Sequence, residues 1–232
     1  MELFYSFFRA PGTIILCLLL ISLFIVKRLI NPIDLWKMSL VPSEILNYEI
    51  WRLISSPFFH TSFIHLAFNL IMIIQVCPYI EKHFGTYWFW IHLFLFCILS
   101  GFYYSGFVIL LSLMNLFDLY YIPLLGFSSV ILSFSSLNAS LSQKSELELF
   151  KFIKIKPKYV PYVLFLFYLA ILPNPSILSL VFGIFSGYSH FFFAEKKLQR
   201  LWRSSSNKQS KQNKGERIIR SIDEQYMFQQ KQ

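Results

Sequence analysis

Few side chains in this sequence could do chemistry, and most of them stand in apolar surroundings. His65 and Asn69 are four residues apart, which stacks them on one face of a helix. Polar residues at membrane depth are functional candidates by default, or they hydrogen-bond between helices. Ser128 sits in Leu125-Gly126-Phe127-Ser128-Ser129. A glycine two residues ahead lets another backbone approach closely and leaves the hydroxyl accessible. A serine so placed is a nucleophile if a base takes its proton; otherwise it bonds back to its own helix. Gly183 and Gly187 form Gly-x-x-x-Gly, a spacing that lets a second helix pack closely. His190 is the histidine nearest to that pair. Cys17, Cys77 and Cys97 all lie inside apolar runs and read as small hydrophobes. No metal-ligand cluster and no cofactor motif is visible.

The elements that must position these residues are membrane helices. Of 232 residues, 56% are hydrophobic and only 14% charged, and Phe alone occurs 27 times. Soluble domains carry about 25% charged residues. A water-soluble fold of this size could not hide so much apolar surface. That excludes a soluble enzyme, a disordered chain and a disulfide scaffold, and predicts an all-α polytopic membrane protein. A spanning helix needs about 20 apolar residues. Six runs are candidates: 12–26, which is short but which Ile30 and neighbouring aliphatics extend, 53–79, 86–113, 122–141, 159–172 and 177–194. No small-residue cleavage site follows the first, so it is read as a helix and not as a signal peptide. The fifth is short, bounded by Pro157 and Pro161 at one end and Pro173-Asn174-Pro175 at the other. Proline is tolerated at a helix start, and the second cluster forces a reversal.

Charge sets the expected topology. The net charge is +9, and residues 195–232 hold ten Lys or Arg against four Asp or Glu. A second cluster comprises Lys144, Lys151, Lys154, Lys156 and Lys158. Short basic loops stay cytosolic, so both termini and the linker between spans four and five are expected there. Lys27, Arg28 and Lys37 then fall on the opposite side. The basic residues lie where anionic lipid heads would meet them, and nucleic acid is not an expected partner. The expected domains are a membrane domain, 1–194, and a basic, disordered cytosolic tail, 195–232, too poor in apolar residues to pack a core. Asn138-Ala139-Ser140 matches an N-glycosylation sequon, but this topology places it at the cytosolic end of span four, unmodified.

Several local patterns, in order, resemble the rhomboid family. Trp51-Arg52, then Phe59-His60, then His65-Leu66-Ala67-Phe68-Asn69 look like the approach to the rhomboid second span. Glu81 and Gly85 resemble the Glu-x-x-x-Gly that ends it. Gly126-Phe127-Ser128-Ser129 is similar to Gly-x-Ser-Gly with the last glycine replaced. Gly183 and Gly187 resemble the glycine-spaced sixth span. The resemblance covers about residues 12–194 and implies a six-helix rhomboid-like bundle. It also implies an intramembrane serine protease chemistry that needs no metal or cofactor. Ser128 would be the nucleophile, and His65 and Asn69 would hold the oxyanion. Fixed donors of that kind are worth about 10²–10³ in rate each.

The base of the implied dyad is missing. The family histidine stands three residues before the first glycine of span six, and that position here is Leu180. His190 lies ten residues further on, about 15 Å along a helix and turned roughly 80° from Leu180. A base must lie within about 3.2 Å of the hydroxyl or one water away. Sliding span six to bring His190 level would drag Glu195, Lys196 and Lys197 into hydrocarbon, at about 3 kcal/mol each. The sequence therefore reads as a derlin-like pseudoprotease. It would bind transmembrane or lumenal clients in protein quality control at the endoplasmic reticulum, alongside membrane lipids and machinery of the ERAD type. The alternative is an active rhomboid endopeptidase using Ser128, with His190 as base.

Overall fold

Hydrocarbon offers no hydrogen-bond partner, so apolar runs fold as helices that satisfy their own backbone. A computed structural model describes residues 6–29, 34–116, 119–142, 145–149, 153–172 and 176–195. Its principal helices are α1 (Pro11–Leu29), α2 (Phe63–Phe84), α3 (Thr86–Leu113), α4 (Ser128–Leu141), α5 (Val160–Ile171) and α6 (Ile177–His190). Among the described residues, four segments are long and apolar enough to cross a membrane: Pro11–Leu29, Phe63–Phe84, Thr86–Leu113 and Ile177–Ala194. The chain is a multi-pass membrane protein. α4 and α5 are shorter, at 14 and 12 residues. The chain divides into two units, Met1–Ser189 and His190–Gln232, and the helical bundle forms the first.

Two helices start later than their apolar runs suggest. The second run begins at residue 53, but α2 begins at Phe63. Pro57 lies in a 3₁₀ turn, Ser56–Phe58, and Phe59 is extended. Ser62 then caps α2, its hydroxyl accepting from the His65 amide at 3.2 Å. The fourth run begins at 122, but α4 begins at Ser128, because Pro123 and Gly126 interrupt it. Gly126 has φ +113°, a conformation that side chains other than glycine rarely adopt. α6 ends at His190 and passes into a π-helical turn, Phe191–Glu195. The basic linker contains an antiparallel hairpin, β1 (Leu147–Leu149) with β2 (Ile153–Ile155), in which Glu148 pairs with Lys154. Ile30, Lys144, Lys151, the Pro173-Asn174-Pro175 turn and the tail from Lys196 lie outside the described residues.

α4 is the axis of the bundle. Every residue from Ser128 to Asn138 is buried, with α2, α3 and α5 packed around it.

α1 is held from below by one carboxylate. Glu81, 3% exposed near the end of α2, accepts from the Gly12 amide at 2.7 Å and from the Thr13 amide and hydroxyl at 2.8 Å. The Thr86 hydroxyl at the start of α3 donates to it as well, at 2.7 Å. A negative charge on first-turn amides also complements the helix dipole. Glu81→Ala leaves those amides buried without an acceptor. It should cost about 3 kcal/mol or more, and lower the melting temperature in detergent by at least about 6 °C. An unchanged melting temperature would show that α1 is held by packing alone.

Candidate functional site

The loop that presents Ser128 is pinned by the segment ahead of α2. Leu40 and Leu124 exchange both backbone hydrogen bonds at 2.9 Å, and the Ser43 amide donates to the Tyr120 carbonyl at 3.1 Å. The Gly126 amide donates to the Ser56 carbonyl at 3.1 Å. Arg52, 2% exposed, braces that segment. Its Nη1 donates to the Ser39 carbonyl at 2.8 Å and to the Trp36 carbonyl, while Nε and Nη2 engage Glu49. Trp51 points outward, half exposed. Gly85, at φ +86°, ends α2 and starts α3.

Beside this loop lies a buried polar cluster. The His65 ring packs against Gly126 so closely that an added Cβ would come within 2.3 Å of its Cε1. Only glycine fits there. The His65 Nε2 atom is buried and has no hydrogen-bond partner among the described residues. The rings of His65 and His60 meet edge to face, centroids 5.0 Å apart. His60 Nε2 is 2.7 Å from Asn69 Nδ2, and the Tyr168 hydroxyl of α5 donates to Asn69 Oδ1 at 2.8 Å. The Lys27 ammonium donates to the His60 carbonyl at 3.3 Å. His60 precedes α2, and burial pushes its pKa down to about 3. Neighbouring His65 adds to that; the Phe58 carbonyl pulls weakly the other way, and Lys27 pushes down again. His60 is therefore neutral at physiological pH.

The glycines of α6 set its register on α4. A Cβ on Gly183 would meet the Ser129 carbonyl oxygen at 2.4 Å, and one on Gly187 the Ser133 carbonyl oxygen at 2.2 Å. Both pairs are offset by 54 residues, so the two helices run parallel. The Ser133 hydroxyl donates to the Gly183 carbonyl at 2.9 Å, and the Ser186 hydroxyl lies 2.5 Å from it. Residues 180, 183 and 187 form one helical stripe. Leu180, 1% exposed, thus stands one turn beyond Ser129, at the head of α4. Ser128 is the first residue of α4 and 8% exposed. Its hydroxyl makes no hydrogen bond among the described residues. His190 is the last residue of α6 and belongs to the second unit.

Chemically, the arrangement can hold a carbonyl. First-turn amides of α4 have no intrahelical acceptor, and His65 offers an uncommitted ring nitrogen. A void of about 10 Å³ behind the α4 head is lined by Ser56, Ser100, Gly126, Ser129 and Ser179 among others; that is about the least volume that holds one water. Three or more potential metal ligands do not gather anywhere among the described residues. Reasoning from sequence singled out Ser128, His65 and Asn69 but passed over Tyr168. The signal was present: a phenol inside a short apolar span needs a partner.

The rhomboid domain family model matches residues 47–196. Rhomboid-like protein 15 of Arabidopsis thaliana is 21% identical over 165 residues, covering 68% of this chain. The chain spans 40% of the length of that relative.

Proposed function

The chain belongs to the rhomboid family, and from that premise we propose that it is a pseudoprotease, a membrane-embedded module that binds transmembrane or lumenal client segments without cutting them. The observation that carries this reading is Leu180. It occupies the turn of α6 beside the α4 head, where the rhomboid resemblance implies the general base, and a leucine cannot accept a proton. The retained donors around Ser128 suit a role in gripping an exposed backbone carbonyl.

The short helices support the same role. At 14 and 12 residues, α4 and α5 span about 21 and 18 Å, against roughly 30 Å of hydrocarbon. Such a mismatch thins the bilayer locally and lowers the cost of moving polar segments through it. Basic clusters on the linker and tail suit a cytosolic placement of both termini. Derlin-like quality control at the endoplasmic reticulum, with membrane lipids and degradation machinery as partners, is the setting that fits this chemistry.

A fluorophosphonate probe tests the proposal. The wild-type protein should remain unlabelled at concentrations that label an active rhomboid to completion. Labelling that vanishes in Ser128→Ala would instead establish an intramembrane serine endopeptidase with Ser128 as nucleophile. The Ser128 hydroxyl, at a helix head and without a hydrogen bond among the described residues, is the observation favouring that second reading.

A further inference from the structure

The cluster beside Ser128 has a direction, and the direction follows from donor and acceptor chemistry. The Tyr168 hydroxyl donates to Asn69 Oδ1 at 2.8 Å. The Asn69 amide nitrogen is left to face His60 Nε2 at 2.7 Å. An amide nitrogen has only hydrogens to offer, so Nε2 accepts. A neutral imidazole carries one proton, so the His60 proton is on Nδ1. His60 Nδ1 is buried near the Phe58 carbonyl without the geometry of a hydrogen bond. Tyr168 and Asn69 are fully buried and His60 is 1% exposed, so water does not reorder the chain.

We propose that Tyr168 and His60 are positioning residues for the Ser128 site. Together they fix the Asn69 amide in one orientation, its oxygen toward α5 and its nitrogen toward the loop ahead of α2. One Asn69 amide hydrogen stays uncommitted, as does the His65 Nε2 atom. These two are the groups to which the rhomboid resemblance already assigns a carbonyl oxygen; what is new is the pair of residues that orients them. Holding a client's carbonyl there rests on the client-binding reading above; the hydrogen-bond direction does not. α5 therefore reaches the site through one phenol, besides packing against α4. The Phe68 ring, edge to face with Tyr168 at 5.0 Å, holds that phenol in place.

Nitrogen NMR of histidine-labelled protein in micelles tests this directly, because the two imidazole tautomers give distinct ¹⁵N shifts. In the wild type, His60 should be a single Nδ1-protonated tautomer. In Tyr168→Phe, Asn69 loses the donor that orients it. The Nε2-protonated form of His60 should then rise about fivefold, the factor one neutral hydrogen bond supplies. A wild-type His60 protonated on Nε2 reverses the chain and overturns the proposal. A single unchanged tautomer in Tyr168→Phe also overturns it, since packing would then set the orientation. Should the variant fail to fold, the wild-type tautomer still decides the direction. Fluorophosphonate labelling of the wild type bears on the client-binding reading alone, so the two failures are separable.

Discussion

Leu180→His is expected to convert Ser128 into a probe-reactive nucleophile. The Gly183 and Gly187 contacts fix α6 on α4 by backbone collisions that allow no sliding, so residue 180 keeps its place one turn beyond Ser129. An imidazole there replaces a buried side chain at the level of the α4 head, where the Ser128 hydroxyl has no competing hydrogen bond among the described residues. General base catalysis by a positioned histidine contributes about 10²–10⁴ in rate. Fluorophosphonate labelling should rise by at least about 10² over wild type, and disappear in the Leu180→His, Ser128→Ala double variant. Leu180→Gln controls for polarity, since it can hydrogen-bond but cannot take a proton at neutral pH. The substitution puts a polar ring in an apolar site and will cost stability, so the comparison requires matched melting curves. A folded, unlabelled Leu180→His protein would mean that Ser128 is misaligned as well as unassisted.

Four membrane-length helices were legible from sequence because hydrocarbon imposes one rule, continuous apolarity, that a linear reading detects. Their starts were less legible. The apolar run continues through residues 53–62 and 122–127, and the backbone breaks there depend on where Pro57, Pro123 and Gly126 dock. Gly126 is held by the Ser56 carbonyl and the His65 ring, neither of which is near it in sequence. The hairpin in the basic linker carries the alternation Leu-Glu-Leu and Ile-Lys-Ile. That period of two was available but masked by the lysines that drew attention to topology. At the candidate site, Ser128, His65 and Asn69 were legible because each is polar in an apolar run. The geometry brings His65 to Gly126, and ties Asn69 to His60 and Tyr168. Tyr168 was not legible as a partner of Asn69, because 99 residues separate them and only the placement of α5 brings them together. Likewise Glu81 was recognisable only as a pattern; that it caps α1 follows from the fold.

Gly187→Val should have the largest structural effect of any single substitution here. Glycine at 187 is required by contact and not by an unusual backbone angle. The Ser133 carbonyl oxygen, the Ser136 Cβ and the Ser133 carbonyl carbon would lie 2.2, 2.7 and 2.9 Å from a new Cβ. Two of these atoms are backbone of α4, fully buried and unable to move without shifting the bundle axis. Overpacking of this kind typically costs about 1–3 kcal/mol, and more when backbone must yield. A second methyl on a β-branched residue adds to the collision. Displacing α6 also breaks the Ser133–Gly183 and Ser133–Ser186 hydrogen bonds that join the two helices, leaving each hydroxyl only the carbonyl of its own helix. The expected result is a fall in melting temperature of at least about 10 °C, or loss of monodisperse protein in detergent. Gly106 is the control, because a Cβ there meets nothing within 4 Å. Gly106→Val should melt within a few degrees of wild type, and a comparable loss in both variants would show that the α4–α6 contact is not what fixes the bundle. If Gly187→Val melts low while Gly106→Val does not, the register that places Leu180 beside the α4 head is the register the protein uses in solution.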